Sequence, residues 1–118
     1  MTSKDLMIGD WYAFRGHPYK CTASDIASIA ECEEKGAPTD ISEIPLTAEI
    51  LGKNKFSKSG LMGEQRHFTY YLAPSVSLLA IYDAEFSLHI GDCARYIKYV
   101  HQLQHVLRLC GIEKEIEL

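Results

Sequence analysis

An α+β fold is what the sequence predicts, on three observations. The stretch "AEFSLHI" (84–90) alternates, with Phe86, Leu88 and Ile90 on one face and Glu85, Ser87 and His89 on the other. That period of two belongs to a half-buried antiparallel strand with one wet face. Residues 93–109 repeat their apolar side chains with the period of an amphipathic helix. Near the N-terminus, "DWYAFRGHPYKCTA" (10–23) reads as a β-hairpin. Its Trp11–Phe14 and Tyr19–Thr22 flanks favour strand, and Gly16 and Pro18 punctuate the turn.

The elements follow in order. After the hairpin, "SDIASIAECEEKGAP" (24–38) turns helical. Ser24 is the expected N-cap and Asp25 suits the first turn. Ile26, Ile29 and Ala30 recur at helical spacing, Gly36 offers a left-handed cap and Pro38 forbids continuation. A shorter helix lies in "EIPLTAEILGKNKF" (43–56), with Thr47 as N-cap and Leu46 and Leu51 placed as a hydrophobic staple. Residues 57–65, with Gly60 and Gly63, read as a loop. "FTYYL" and "SVSLLAIY" are strands flanking the break at Ala73–Pro74, so residues 66–90 hold either three strands or two long ones. Asp92 caps the last helix. Gly111 ends it, and Ile112 can fold back on Leu107 in a Schellman cap. The final "EIEL" alternates and is expected to be a charged edge strand. The predicted fold is one domain: an N-terminal β-hairpin, two short helices, and an antiparallel sheet packed against one C-terminal amphipathic helix.

Composition bounds the function. The chain has 118 residues, of which 47% are hydrophobic, and a formal charge of −4. Residues 1–59 carry 7 basic and 9 acidic side chains and residues 60–118 carry 5 and 7, so the acidity is evenly spread. An acidic chain lacks the electrostatic footprint of non-specific nucleic-acid binding, and nucleic acid is not an expected partner. "MTSKDLMIGD" has no apolar core of a signal peptide, and no apolar run approaches the ~20 residues of a membrane-spanning helix. A soluble, cytoplasmic protein is expected. Cys21, Cys32, Cys93 and Cys110 form no Cys-x-x-Cys clip and read as small packed hydrophobes.

"HQLQH" (101–105) places two histidines four apart in the last helix. On a helical wheel Tyr96, Tyr99, Val100, Leu103, Val106, Leu107 and Cys110 gather as the core stripe. His101 and His105 fall opposite, with Lys98, Gln104 and Arg108. Such a pair can donate two metal ligands, yet no third is visible. Gln102 stands where a metalloprotease helix carries its glutamate. His89 is the best remaining candidate for a third ligand, but no metal, cofactor or catalytic residue is assigned, and this outer polar face is read as a docking surface for a protein partner, a second copy or an anionic ligand. The hairpin adds Trp11, Arg15 and His17, aromatic and basic groups able to stack on a ligand. Alternation sets Trp11 on the opposite face to Tyr12 and Phe14. Cys93, with His89 as base, is an unfavourable nucleophile beside Asp92. Glu31, Glu33 and Glu34 read as a solvated acidic face.

"IPLTAEILGKNKF" (44–56) and "YVHQLQHVLRLCGIEKEIEL" (99–118), behind an opening "DLMIGDWYAF", resemble a group of small uncharacterised proteins common in gut Bacteroidetes, often in prophages and mobile elements. The resemblance spans about half the chain. That group commonly has Gly where this chain has Lys55, so Asn54 is expected to supply the left-handed turn after the short helix. It implies a bacterial or phage accessory protein in the cytoplasm and carries over no functional residue. The expected function is a non-catalytic protein-interaction module. The alternative is a small-ligand or nucleotide-binding sponge or sensor, with a pocket between hairpin and sheet.

Overall fold

A computed structural model describes residues 1–60, 67–81 and 85–118. The fold is α+β, with two antiparallel sheets and helices that include a C-terminal one. The chain divides into two compact units: Met1–Ile44 with Tyr99–His101, and Pro45–Lys98 with Gln102–Leu118. No helix among the described residues is long and apolar enough to cross a membrane.

In the first unit, strands β1 (Trp11–Phe14) and β2 (His17–Lys20) form the expected hairpin. Its two-residue turn is Arg15–Gly16, at φ 51 and 81. Positive φ at both positions is the type I′ pattern, whose twist matches the strands. The left-handed Arg15 is held by its N–H donating to the Asp40 carbonyl (3.1 Å) and its Nε beside the Asp40 carboxylate (3.4 Å). Pro18 lies inside β2 rather than in the turn, opposite Ala13. The sheet order is β2-β1-β3, with β3 at Ile41–Ser42, so Pro18 sits on an edge strand, where its missing N–H costs little.

Helix α1 runs Ala23–Glu34, and its N-cap is Thr22, not Ser24. The Thr22 hydroxyl accepts from the Asp25 N–H (3.1 Å), and the Asp25 carboxylate accepts from the Thr22 N–H (3.0 Å). This reciprocal box satisfies two donors, which Ser24 could not do with Asp25 as its neighbour. Leu6, Tyr12, Cys21 and Ile29 form the buried cluster of this unit, with Phe14, Ile26 and Ile41 packed against it. The Glu33 carboxylate leaves the acidic face to accept from the Ser3 N–H (2.6 Å) and hydroxyl (2.8 Å), tying α1 to the N-terminal turn.

In the second unit, helix α2 (Ala48–Lys53) starts at Thr47, whose hydroxyl accepts from the Ile50 N–H. Leu46 and Leu51 are both buried, as the staple expects. The exit differs from expectation. Lys55, at φ 58, takes the left-handed turn, while Asn54 stays at φ −85. The Asn54 amide is occupied elsewhere. Its Nδ2 donates to the Ile50 and Glu117 carbonyls (2.8 Å each), and its Oδ1 accepts from the Glu117 N–H (2.7 Å). The C-terminal "EIEL" is therefore no strand. It is an irregular segment clamped by Asn54, with Ile116 buried.

The larger sheet is a five-stranded meander, in the order β4 (Ser57–Gly60), β5 (His67–Ala73), β6 (Val76–Ile81), β7 (Glu85–Ile90), β8 (Cys93–Ile97). Two expectations are corrected. Residues 57–60 are strand rather than loop, paired with Phe68–Tyr71, while 61–65 lie outside the described residues. Residues 93–97 are strand rather than helix. Gly91–Asp92 is a two-residue hairpin turn closing the Ile90–Cys93 pair, with positive φ at Gly91 alone, so Asp92 is a turn residue and not a cap. Within 66–90 the described residues form three strands. Phe86, Leu88, Leu78, Ala80, Tyr70 and Ile97 fall on one face by register and are buried, whereas Ile90, at the strand end, is exposed.

Helix α3 is accordingly short, Val100–Leu109. Leu103 and Leu107 of its stripe are buried, and it ends as expected. The Ile112 N–H donates to the Leu107 carbonyl (2.8 Å) and the Gly111 N–H to the Arg108 carbonyl (3.1 Å), with Gly111 at φ 70. That pair of bonds is the Schellman motif. The predicted faces fail at three places. Tyr96, placed in the core stripe, is 69% exposed because it belongs to β8. His101 and Gln104, placed outward, are both buried.

Candidate functional site: an aromatic pocket in the N-terminal unit

The concave site best formed from chemistry-bearing residues lies in the first unit, between the hairpin, β3 and α1. Its volume is about 390 Å³. Tyr12 and Phe14, two residues apart on β1, present their rings from one strand face, and Tyr19 joins them from β2, opposite Tyr12 in register. The Tyr12–Tyr19 centroids are 6.2 Å apart, with planes at 35°. Phe14–Tyr19 are 6.3 Å apart, edge to face at 68°. Edge-to-face and tilted pairs at such spacings suit the ring quadrupoles.

Helix α1 supplies the facing wall. Asp25, Ser28, Ile29 and Cys32 recur at i, i+3, i+4 and i+7, one helical face turned to the cavity. Thr39 and Ile41 complete the lining. The wall is thus apolar at Ile29 and Ile41, with a carboxylate, two hydroxyls and a thiol among them.

Asp25 does two jobs. One oxygen caps the helix at Thr22, and the charge of the carboxylate also acts on the Tyr12 phenol. Burial first, and then the negative charge of Asp25, push the Tyr12 phenol above its ordinary pKa of 10.0. Tyr12 is therefore a neutral donor throughout the physiological range. Cys21, beneath the hairpin, is likewise raised by burial and then by Asp25 and Asp10, so it is a packed thiol and not a nucleophile.

The residues singled out from sequence are scattered by comparison. Trp11 is half-buried with the Lys20 Nζ 5.4 Å from its ring centroid, and it does not line the cavity. Arg15 is exposed, its guanidinium carbon 5.0 Å from the Phe14 ring centroid. His17 is exposed on β2. Lys98 and Arg108 are exposed, and His105 is half-buried. His101 is buried and stacks on Tyr99, ring centroids 5.9 Å apart and planes within 10°. Its positive field helps to lower the Asp5 and Glu43 carboxyls, each held down first by a backbone N–H. HQLQH therefore does not present two exposed ligands on one face. Among the described residues, no group of three or more His, Cys, Asp or Glu side chains is placed to hold a metal. Cys93 is exposed and His89 half-buried.

No family profile, curated protein or solved structure matches the chain.

Proposed function

We propose that this protein is a non-catalytic binding module whose hairpin–helix pocket receives a small organic ligand, making it a sponge or sensor. The observation that carries the reading is the aromatic cavity of about 390 Å³ with a carboxylate in its wall. That volume lies in the range of small-molecule sites, and a mostly apolar lining with few polar groups is their usual make-up. The setting that the sequence resemblance implies, a cytoplasmic accessory protein of a bacterium or phage, is part of the same proposal. The alternative role, protein docking on the outer face of α3, has fewer residues behind it. Lys98 and Arg108 are exposed there, but His101 is buried.

The test is a thermal-shift panel of neutral planar heterocycles, nucleotides, small organic cations and organic acids. A ligand bound only by the folded state raises Tm, by about 2.7 kcal/mol of added stability at a concentration 100 times its Kd. The rise should vanish in Tyr19→Ala, which trims a side chain already 47% exposed and so leaves the fold intact. A panel without any stabilising member, or a rise that Tyr19→Ala leaves unchanged, refutes the assignment.

A further inference from the structure

We infer that the pocket selects a small organic cation, an alkylated ammonium, over a neutral ligand of the same shape; the inference rests on the small-ligand reading above. Three aromatic rings converge. Tyr19 stands 6.2 Å from Tyr12 and 6.3 Å from Phe14, and Tyr12 and Phe14 are separated by about 6.8 Å of strand rise. A triangle of that size has points within about 6 Å of all three centroids, which is the reach of a cation–π contact. Ring faces carry the negative end of the quadrupole, so a cation seated over them is favoured; Phe14 and Tyr19 meet edge to face, so one ring of that pair turns its face to the other.

The polar wall has the matching sign. Among the described residues, Asp25 is the charged side chain of the lining, and no cationic side chain lines it. The Thr22 N–H holds one oxygen of the Asp25 carboxylate in place (3.0 Å), and the carboxylate still has lone pairs to offer a ligand. Phe14 already receives a cation, since Arg15 lies 5.0 Å from its centroid. Arg15 is anchored outside the cavity by the Asp40 ion pair at 3.4 Å. An anionic ligand would meet Asp25 without a compensating cation, and a neutral one would leave the carboxylate unused. A quaternary or alkylated ammonium matches both, because its methyl groups suit Ile29 and Ile41 while its charge is shared by the rings and Asp25.

The experiment compares choline with its uncharged carbon isostere, 3,3-dimethyl-1-butanol, by titration calorimetry and by NMR shifts of the Tyr12, Phe14 and Tyr19 rings. Choline should bind at least roughly tenfold more tightly than the alcohol, the minimum that a partly desolvated cation–π site implies. Tyr19→Ala should abolish choline binding, and Tyr19→Phe should keep it. Asp25→Asn, which still accepts from the Thr22 N–H, should weaken choline roughly tenfold and leave the alcohol unchanged. Circular dichroism checks that α1 persists in that variant. Equal binding of choline and alcohol overturns the cation inference while the small-ligand reading stands. The same holds if a neutral member of the panel binds and neither choline nor tetramethylammonium does. If nothing binds, both fall.

Discussion

Replacing Asn54 tests how the C-terminal segment is held. Its amide makes three hydrogen bonds, to the Ile50 carbonyl (2.8 Å), the Glu117 carbonyl (2.8 Å) and the Glu117 N–H (2.7 Å), from a side chain that is buried. Each is worth about 1 kcal/mol net, so Asn54→Ala should cost about 2–3 kcal/mol. The Ile50 carbonyl keeps its backbone donor, the Asn54 N–H at 3.1 Å, which limits the loss there. If the segment detaches, burial of Ile116 goes with it, adding about 1.5–3 kcal/mol. Urea unfolding measures the total, and hydrogen exchange at the Glu117 amide shows whether detachment is local. Asn54→Asp sharpens the test. The aspartate still accepts from Glu117 N–H, but its second oxygen faces two carbonyl oxygens. That penalises the charged form, so its folded pKa is raised above the unfolded value of about 3.9. The folded state then holds the proton more tightly than the unfolded one. The deficit of Asn54→Asp should be small in acid and grow as pH rises through both values. If both variants stay within about 1 kcal/mol of the parent at neutral pH, the clamp is not what holds the tail.

Two further predictions rest on single positions. Lys55→Gly should stabilise the protein by about 0.5–1 kcal/mol, since relief of the left-handed penalty exceeds the entropy glycine adds to the unfolded chain, while Lys55→Val should destabilise it; thermal melts should show about 2–4 °C upward for glycine. Glu33 is held below its ordinary 4.5 by the Ser3 N–H and then the Ser3 hydroxyl, so its contribution to stability is present above the unfolded pKa and lost as pH falls through the folded one. Carboxyl NMR should find the titration moved upward in Ser3→Ala, and an unmoved midpoint would remove the hydroxyl from that account.

Most of the fold could be read in the sequence, and the failures share a cause. The hairpin, Thr47, the Leu46–Leu51 staple and the Gly111 cap each depend on neighbours within a few residues, and all are present, whereas the alternation of β7 holds at Phe86 and Leu88 and fails at Ser87, which is buried, and Ile90, which is exposed. Residues 93–97 went wrong because Tyr96, Tyr99, Val100 and Leu103 satisfy a helical period even though the first belongs to a strand. Gly91–Asp92 carried the competing signal, a two-residue hairpin turn, and an aspartate suits both a cap and a turn. The 57–60 strand has little apolar pattern of its own, and its pairing with β5 is what makes it a strand. The fate of "EIEL" was fixed 63 residues away, by the reach of Asn54.

The pocket shows the same division between local and distant information. Half of it was legible: Tyr12 and Phe14 share a strand face by alternation, and Tyr19 falls opposite Tyr12 once the turn is placed at Arg15–Gly16. The other half was present in sequence as Asp25, Ser28, Ile29 and Cys32, a full i, i+3, i+4, i+7 face. Hydrophobic periodicity passes over that face because it mixes polar with apolar residues, and it selects Ile26, Ile29 and Ala30 instead. Of those, Ala30 is exposed and Ile26 only half-buried. A helix face that is neither wholly apolar nor wholly polar has no place in a two-letter reading. It lies at the edge of a core, where a ligand can be apolar on one side and hydrogen-bonded on the other. The cap points the same way: with Thr22 rather than Ser24 as first residue, Asp25 becomes the N3 position, and its carboxylate is tied to the helix start while it lines the cavity beside Tyr12. One residue thereby fixes the start of α1 and the polar wall of the cavity, so the positions that build the helix also aim the site.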